Sequence, residues 1–309
     1  MPKPRLGRVT NERRERNEHG PTITRALIAW YPTAARDLPW RAPSTSPWAI
    51  LVSEFMLQQT QVDRVVPRWQ AWVERWPRPS ALAGDSPGAA VQAWDRLGYP
   101  RRALWLHRAA VEITEQHGDR VPHDVDALLA LTGVGPYTAR AVAVFAYGLR
   151  HPVVDTNTRR VIARAVHGRA AAGMPAARDL DDMEALLPRD PAAAAVVNAA
   201  AMELGATVCT ARTPQCDRCP LASLCEWRGA GYPDNAPARR PRQAKFEGSD
   251  RQARGRIMAL LRDTQGSVSV AEALAAADPS SDTEQPRRAY DSLLADGLIV
   301  EFEGRVRLP

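Results

Sequence analysis

Residues 131–140 read LTGVGPYTAR, with Gly133 and Gly135 on either side of Val134. Apolar residues spaced three and four apart predict one helix over 125–131 and another over 139–149. Two glycines permit a tight turn with exposed backbone amides, and the positive end of the second helix favours an anion such as phosphate. The stretch therefore predicts a helix-hairpin-helix that binds DNA at Gly133, Val134 and Gly135. The alternative is an ordinary turn between two helices.

The same helical spacing continues on both sides of this turn, from residue 22 to about residue 228. No run of alternating apolar and polar residues predicts a strand in this range. The chain has 309 residues, of which 45% are hydrophobic and 25% charged, enough for two domains with buried cores. The sequence thus predicts an all-α fold and excludes a mainly disordered chain.

Charge and hydropathy narrow the class of protein further. The longest apolar run, 141–147, is too short to cross a bilayer, and no apolar segment follows the basic N-terminus. We therefore expect the chain to remain in the reducing cytoplasm. Its net charge of +6 is compatible with nucleic-acid binding without requiring it. Lys3 and Lys245 are the only lysines, which makes a lysine Schiff base almost unavailable.

All four cysteines lie in one short stretch, with the spacing Cys209-x6-Cys216-x2-Cys219-x5-Cys225. Two disulfides are possible, but a reducing compartment disfavours them. Zinc sites usually use two close cysteine pairs, and only Cys216 and Cys219 form one. A [4Fe–4S] cluster takes four thiolates at uneven spacing. The pattern therefore favours an iron–sulfur cluster over zinc.

Residues 46–62, SPWAILVSEFMLQQTQV, place a carboxyl in an apolar segment. On a helix, Glu54 shares a face with Leu51 and Gln58. Poor solvation raises the pKa of a carboxyl, which then can act as a general acid at neutral pH. The alternative is a glutamate at the exposed rim of a helix. Gln58 and Gln59 add amides suited to base edges or to a gap in a base stack.

A second carboxyl lies in residues 152–161, PVVDTNTRRV, ahead of a predicted helix. Asp155 could simply cap that helix. An ionised Asp155 could also face a developing cation, so that Glu54 and Asp155 divide the work as two carboxyls do in glycoside hydrolysis. Asn157 belongs to the same segment.

The ends of the chain differ from this helical region. Residues 1–21 are charged and predict a mobile basic arm, and residues 229–250 are rich in proline, glycine and arginine and predict a linker. We call residues 251–309 the C-terminal module. Its pattern predicts helices over 251–263, 269–277 and 284–296 and a hairpin turning at Glu303 and Gly304. This order predicts a small winged-helix-like domain.

Taken together, these segments resemble the adenine DNA glycosylases of the MutY family, within the helix-hairpin-helix superfamily shared with endonuclease III. The resemblance rests on the cysteine spacing and on four segments in one order: SEFMLQQTQV (53–62), RLGYPRRALWLHRAA (96–110), LTGVGPYTARAV (131–142) and VVDTNTRRVIAR (153–164). It implies a bilobed fold, with a six-helix barrel over 41–149 and an iron–sulfur lobe from 22–40 and 150–228.

The resemblance also implies a reaction and a partner. It implies hydrolytic excision of adenine mispaired with 8-oxoguanine or guanine in double-stranded DNA, which begins base excision repair. We expect a monomer that associates with the nucleoid. Glu54 matches the residue that protonates adenine N7 and later handles the water, and Asp155 matches the residue that stabilises the sugar cation. Tyr137 and Asn157 match positions that support the site. Gln58 and Gln59 match residues that enter the DNA stack. The residues that match ligands of a [4Fe–4S] cluster are Cys209, Cys216, Cys219 and Cys225.

Two features depart from the family pattern. Pro100 follows Tyr99 where a second tyrosine is common, and the C-terminal module replaces the larger domain that senses 8-oxoguanine. Tyr137 also stands where bifunctional relatives carry a catalytic lysine, which favours hydrolysis alone. Two alternatives remain: a related glycosylase acting on thymine or uracil mismatches or on oxidised pyrimidines, and a non-catalytic iron–sulfur regulator that binds DNA.

Overall fold

The computed structural model describes residues 7–235, 245–277 and 282–309, with side chains from His19 onward. Helices dominate these residues, which confirms the predicted all-α fold. The helices α1 to α15 of the described residues are, in order, Gly7–Ala34, Pro47–Leu57, Val62–Arg75, Pro79–Ala83, Pro87–Trp94, Arg101–Gln116, Val125–Leu129, Pro136–Tyr147, Thr156–Ala165, Arg178–Glu184, Pro191–Thr207, Glu226–Gly229, Asp250–Asp263, Val270–Ala276 and Gln285–Ala295. Short 3-10 helices cover Pro39–Arg41 and Cys216–Arg218, and the strands β1, β2 and β3 cover Val268–Ser269, Val300–Phe302 and Arg305–Arg307.

Contacts within the chain define two compact units. The first contains the described residues of Met1–Leu38 and Pro136–Arg240, and the second those of Pro39–Gly135 and Pro241–Pro309. The units meet at 38/39 and at 135/136. The predicted lobe boundaries lie at 40/41 and at 149/150, so the second one differs by 14 residues. The helix α8 belongs to the first unit because Ala141 and Val144 pack in one cluster with Val153.

The first unit has its core where α1, α9 and α11 pack together. Ile23, Leu27 and Leu204 are almost fully buried there, and each such side chain contributes about 1.5–3 kcal/mol on burial. Glu203 of α11 is also fully buried, and it accepts hydrogen bonds from Nε (2.6 Å) and Nη2 (3.2 Å) of Arg36. This bidentate pair fastens the segment after α1 to α11.

The predicted N-terminal arm over 1–21 coincides largely with α1. Residues 1–6 lie outside the described residues, and from Gly7 the backbone is helical instead of irregular. Further along α1, the Thr24 hydroxyl donates to the carbonyls of Gly20 (3.0 Å) and Leu186 (2.7 Å). These bonds hold this part of the helix against the segment that follows α10.

Tryptophans fill the core of the larger part of the second unit, which is formed by the helices α2 to α7. Trp72 and Trp94 are fully buried and meet edge to face, with ring centres 5.6 Å apart. The indole of Trp69 donates to the Ala49 carbonyl (2.7 Å), which ties α3 to α2. Buried aromatic pairs of this geometry add to the stabilisation from burial alone.

The C-terminal module has the predicted three helices and hairpin, and one further strand. α13, α14 and α15 match the predicted ranges closely, and β2 and β3 pair antiparallel across Glu303 and Gly304. Both turn residues have positive φ, 49° and 73°, as a tight hairpin turn requires. The strand β1 pairs with β3, so the sheet order is β1-β3-β2. This arrangement of helices and wing is winged-helix-like.

The predicted linker over 229–250 is described only in part. Its arginines Arg239, Arg240 and Arg242 lie outside the described residues. Across the described ranges, none of the helices combines the length and the apolar character needed to span a membrane.

Candidate active site and metal centre

The helix α2 carries Glu54 in a buried segment. Ser46 caps the helix by accepting a hydrogen bond from the Ala49 amide (3.2 Å), and Pro47 occupies the first turn. Every residue from Trp48 to Met56 is buried, and Glu54 is only 6% exposed. This burial excludes a glutamate at an exposed helix rim, and it removes most of the carboxyl from solvent.

The C-terminal end of α2 is held by Arg102 of α6, which is 4% exposed. Its Nη1 donates to the carbonyls of Phe55 (2.7 Å), Met56 (3.2 Å) and Gln58 (2.6 Å), and its Nη2 donates to Thr60 Oγ1 (3.0 Å) and the Gly98 carbonyl (2.9 Å). Carbonyls at a helix end lack partners within the helix, so the cation satisfies them. Burial lowers the pKa of Arg102 to about 10, which leaves the guanidinium charged at neutral pH.

Two exposed residues near Arg102, Gln59 and Tyr99, adopt left-handed backbone conformations. Gln59 is exposed with φ +55°, and Tyr99 is 53% exposed with φ +47°. Such backbone costs about 1–2 kcal/mol for a residue other than glycine and concentrates at functional sites. Arg102 binds the carbonyl immediately before each of them, those of Gln58 and Gly98. Gln58 itself is half-buried.

The two glycines of the turn between α7 and α8 have different surroundings. Gly133 has φ +80°, and a Cβ there would lie 2.7 Å from Trp105 Cβ and 2.9 Å from Phe55 Cε1. Nothing lies within 4 Å of a Cβ built on Gly135. Only Gly133 is therefore required to be glycine by the fold itself.

Hydrogen bonds fix the shape of this turn. The Glu112 carboxylate accepts from the amide (2.8 Å) and the hydroxyl (2.7 Å) of Thr132. The Val134 amide donates to the Leu131 carbonyl (3.1 Å), and the Val134 side chain is buried. Val134 thus shapes the turn, and its amide is already engaged there.

Asp155 caps α9 in the first unit. Its Oδ1 accepts from the Thr158 amide (2.6 Å) and its Oδ2 from Asn157 Nδ2 (2.8 Å). Both carboxylate oxygens are thereby held in one orientation. The capping interpretation is correct, and it does not conflict with a chemical role for a half-buried carboxylate.

Arg160 joins this carboxylate to the cysteine loop. Its Nη2 donates to Asn157 Oδ1 (2.8 Å) and to the Gly205 carbonyl (2.5 Å), and its Nε donates to the Cys209 carbonyl (2.7 Å). A continuous chain of hydrogen bonds therefore runs from the backbone of Cys209 through Arg160 and Asn157 to Asp155. Burial lowers the pKa of the Arg160 guanidinium, and the neighbouring Cys209 opposes this effect.

Close packing of α9 on α11 supports the same group. A Cβ on Gly205 would lie 2.7 Å from Asn157 Cβ and 2.8 Å from the Asn157 carbonyl oxygen, so only glycine fits at this position. Tyr137, at the start of α8, packs against the cluster that contains Val153. The structure thus groups Asp155 and Asn157 in the first unit, and Glu54, Gln58 and Gln59 in the second.

The four cysteines line one partly open cavity. All four thiols are unpaired and half-buried, so the disulfide alternative is not realised within the described residues. Burial raises the pKa of Cys219 to about 11 and also raises that of Cys225. A thiol binds a metal only as the thiolate, so these thiols must lose their protons on binding. The positive charge of the metal then compensates the negative charge of the buried thiolates.

The walls of this cavity also suit a cluster of thiolates. Arg164 Nη1 lies 3.4 Å from Cys209 Sγ and donates to the Thr210 carbonyl (2.7 Å). The same guanidinium stacks on Trp227, 4.6 Å from the ring centre. Four thiols in one partly buried cavity with a cation on its wall form a donor set that fits an iron–sulfur cluster.

Sequence reasoning missed Arg102, Arg160 and Arg164. For Arg102 a signal exists, since it stands four residues before Leu106 on the buried face of α6. Arg160 and Arg164 give no such signal. The carbonyls of Gly205, Cys209 and Thr210, which they bind, lie 45 to 49 residues away along the chain. Spacing along a helix carries no information about such contacts.

Two family models match the chain. Residues 52–174 match the HhH-GPD superfamily of base excision DNA repair proteins, and residues 209–225 match the iron-sulfur binding domain of endonuclease III. These matches cover the helix-hairpin-helix and the cysteine loop, and they confirm the predicted fold and cofactor.

Similar proteins extend the comparison to nearly the whole chain. An adenine DNA glycosylase of Mycolicibacterium smegmatis is 55% identical over 286 residues, covering 91% of this chain and 94% of the relative. The structure of a thermostable thymine-DNA glycosylase superposes with a TM-score of 0.64 at 26% identity, covering 69% of this chain and 98% of the other. A trapped endonuclease III–DNA covalent intermediate has a TM-score of 0.60 at 20% identity, covering 70% and 98%, and shares the fold.

Proposed function

The chain belongs to the adenine DNA glycosylase family, and on that premise we propose that it excises adenine paired with 8-oxoguanine or guanine. Its general class, a DNA glycosylase of base excision repair, follows from the family. The finer assignment is supported above all by Glu54, a carboxyl 6% exposed in a buried helix that leads directly to Gln58 and Gln59.

In the proposed reaction, Glu54 donates its proton to N7 of adenine. The C1′–N9 bond then breaks, its electron pair leaves with the base, and the sugar becomes an oxocarbenium ion. Water adds to C1′ and returns a proton to Glu54, so the residue serves first as acid and then as base. The products are free adenine and an abasic site. The burial of Glu54 supports this role, because it shields the carboxyl and the reacting base from bulk water.

Asp155 is proposed to stabilise the cation on the sugar. Hydrogen bonds from the Thr158 amide and Asn157 hold both carboxylate oxygens, so the charge is oriented before the cation forms. Asn157 and Tyr137 act as supports in this proposal. The four cysteines Cys209, Cys216, Cys219 and Cys225 are proposed to hold the cluster, whose binding organises the loop that Arg160 joins to Asn157.

DNA contacts are proposed for the turn and for the end of α2. Excision from within a duplex requires that adenine leave the stack. Exposed Gln59 on strained backbone suits insertion into the space left behind, with Gln58 beside it. The Gly133 and Gly135 backbone is proposed to approach a phosphate, with Val134 shaping the turn. DNA as the partner follows from the family, whereas action as a monomer associated with the nucleoid in the cytoplasm is part of the proposal.

A thymine-DNA glycosylase is the second candidate, because such an enzyme has a TM-score of 0.64 with this chain. The two functions are distinguished by base release from 8-oxoguanine:A, G:A, C:A and G:T duplexes, with a matched A:T duplex as the control. We expect free adenine from the first two, and strand cleavage only after alkali because no lysine is available between Lys3 and Lys245. Release of thymine, or cleavage without alkali, would contradict the proposal.

A further inference from the structure

The C-terminal module contacts the catalytic part of the second unit at the start of α6. Asp296, which ends α15, lies with Oδ1 3.3 Å from Nη1 of Arg101 and with Oδ2 2.6 Å from Nη2 of Arg254. Arg254 belongs to α13, so the carboxylate joins two helices of the module to the first residue of α6. Arg101 directly precedes the residue that holds the end of α2.

Two further contacts extend this interface along α5. The Gln92 side chain donates to the carbonyl of Arg262 (3.2 Å). The end of the chain lies against Gly88, where a Cβ would come within 2.3 Å of the Pro309 carbonyl oxygen. The module therefore lies against α5 and the start of α6 at three separate points.

These contacts lie on either side, along the chain, of a strained loop, residues 95–100, which we call the α5–α6 loop. It contains three left-handed residues: Asp95 (φ 46°), Gly98 (φ 84°) and Tyr99 (φ 47°). Non-glycine residues keep such backbone only where their surroundings impose it. On the other side of the loop, Thr60 donates to the Leu97 carbonyl (3.2 Å).

Charge argues against a module that serves chiefly to bind DNA. Residues 251–309 contain eight arginines against nine acidic residues, while the whole chain has a net charge of +6. On the exposed face of α15, Arg287 pairs with Asp291 (2.9 Å) and Arg288 with Asp282 (2.6 Å). A helix that reads DNA depends on cations that are available to phosphates or bases.

We propose that the C-terminal module braces the α5–α6 loop, with Asp296 as a positioning residue for base excision. The inference rests on the proposed function. Asp296 fixes Arg101, and the adjacent Arg102 then keeps its hydrogen bonds to Gly98 on the loop and to Gln58 at the end of α2. Through this path the module orients the helix that carries Glu54.

The test compares Asp296→Asn with Tyr290→Phe in the full chain. Tyr290→Phe removes the hydrogen bond from Tyr290 to Glu301 (2.7 Å), which lies wholly within the module. Base release from an 8-oxoguanine:A duplex is followed in single turnover with saturating protein, so that the rate reports positioning and not affinity. Thermal unfolding and the affinity for matched duplex are measured in parallel.

We expect Asp296→Asn to slow base release about three- to tenfold, in the range of couplings carried through packed networks. Asp296→Glu should restore most of the rate, and the affinity for matched duplex and its salt dependence should stay unchanged. Tyr290→Phe should release adenine at the wild-type rate even where its unfolding temperature falls.

Three results would overturn the bracing role: a wild-type rate in Asp296→Asn, an equal loss of rate in Tyr290→Phe, or lost affinity for matched duplex at an unchanged rate. Adenine release by the wild type in the same assay keeps the proposed function separate from this outcome. If the wild type releases no adenine, the proposed function and this inference fail together.

Discussion

Replacement of Gly133 by alanine should destabilise the second unit far more than replacement of Gly135, although both glycines belong to one turn. Alanine at φ +80° costs about 1–2 kcal/mol. The added methyl group would also lie 2.7 Å from Trp105 Cβ and 2.9 Å from Phe55 Cε1, and overpacking of this kind costs about 1–3 kcal/mol. We therefore expect the free energy of unfolding to fall by about 2–5 kcal/mol in Gly133→Ala.

Gly135→Ala is the matched control, because nothing lies within 4 Å of its added Cβ. We expect its free energy of unfolding to change by no more than about 0.5 kcal/mol. Urea unfolding followed by tryptophan fluorescence measures both variants, without DNA because Gly135 is proposed to approach a phosphate. Since Phe55 adjoins Glu54 in α2, Gly133→Ala should also slow base release. Equal stabilities of the two variants, within 1 kcal/mol, would refute this account of the turn.

Two further predictions concern the first unit. The wild-type protein should hold about four irons per chain, and Cys216→Ser should lose both iron and affinity for DNA. Iron analysis and duplex binding measure these two quantities. Stoichiometric zinc without iron in the wild type would contradict the prediction. Arg160→Met should keep most of its iron but release adenine at least about tenfold more slowly. The reason is that Asn157 loses the donor that fixes it against Asp155. A wild-type rate of adenine release in this variant would show that the hydrogen-bond chain is irrelevant to catalysis.

Local sequence pattern was sufficient where the determinants lie close together along the chain. The cap at Asp155 and the helices of the C-terminal module depend on neighbours within a few residues, and the sequence indicates both. The burial of Glu54 followed from the apolar residues around it in α2. In these cases helical spacing, capping chemistry and turn preferences all indicate the same structure.

Other features depend on contacts that sequence spacing does not encode. Arg102 and Arg160 are held by acceptors about 45 residues distant along the chain, so their local sequence does not indicate these contacts. The strand β1 has two residues, too few to show a period, and it exists because β3 pairs with it.

The central claim is that Glu54 acts as the acid in the excision of adenine. It is tested most directly by the single-turnover release of free adenine from an 8-oxoguanine:A duplex, with wild type and Glu54→Gln compared at saturating protein. Glutamine keeps the shape of the side chain but has no acidic proton to donate. The account predicts that the wild type releases adenine and that Glu54→Gln binds the duplex but is slower by at least about 10²–10⁴-fold. Release of adenine by Glu54→Gln at the wild-type rate would contradict it.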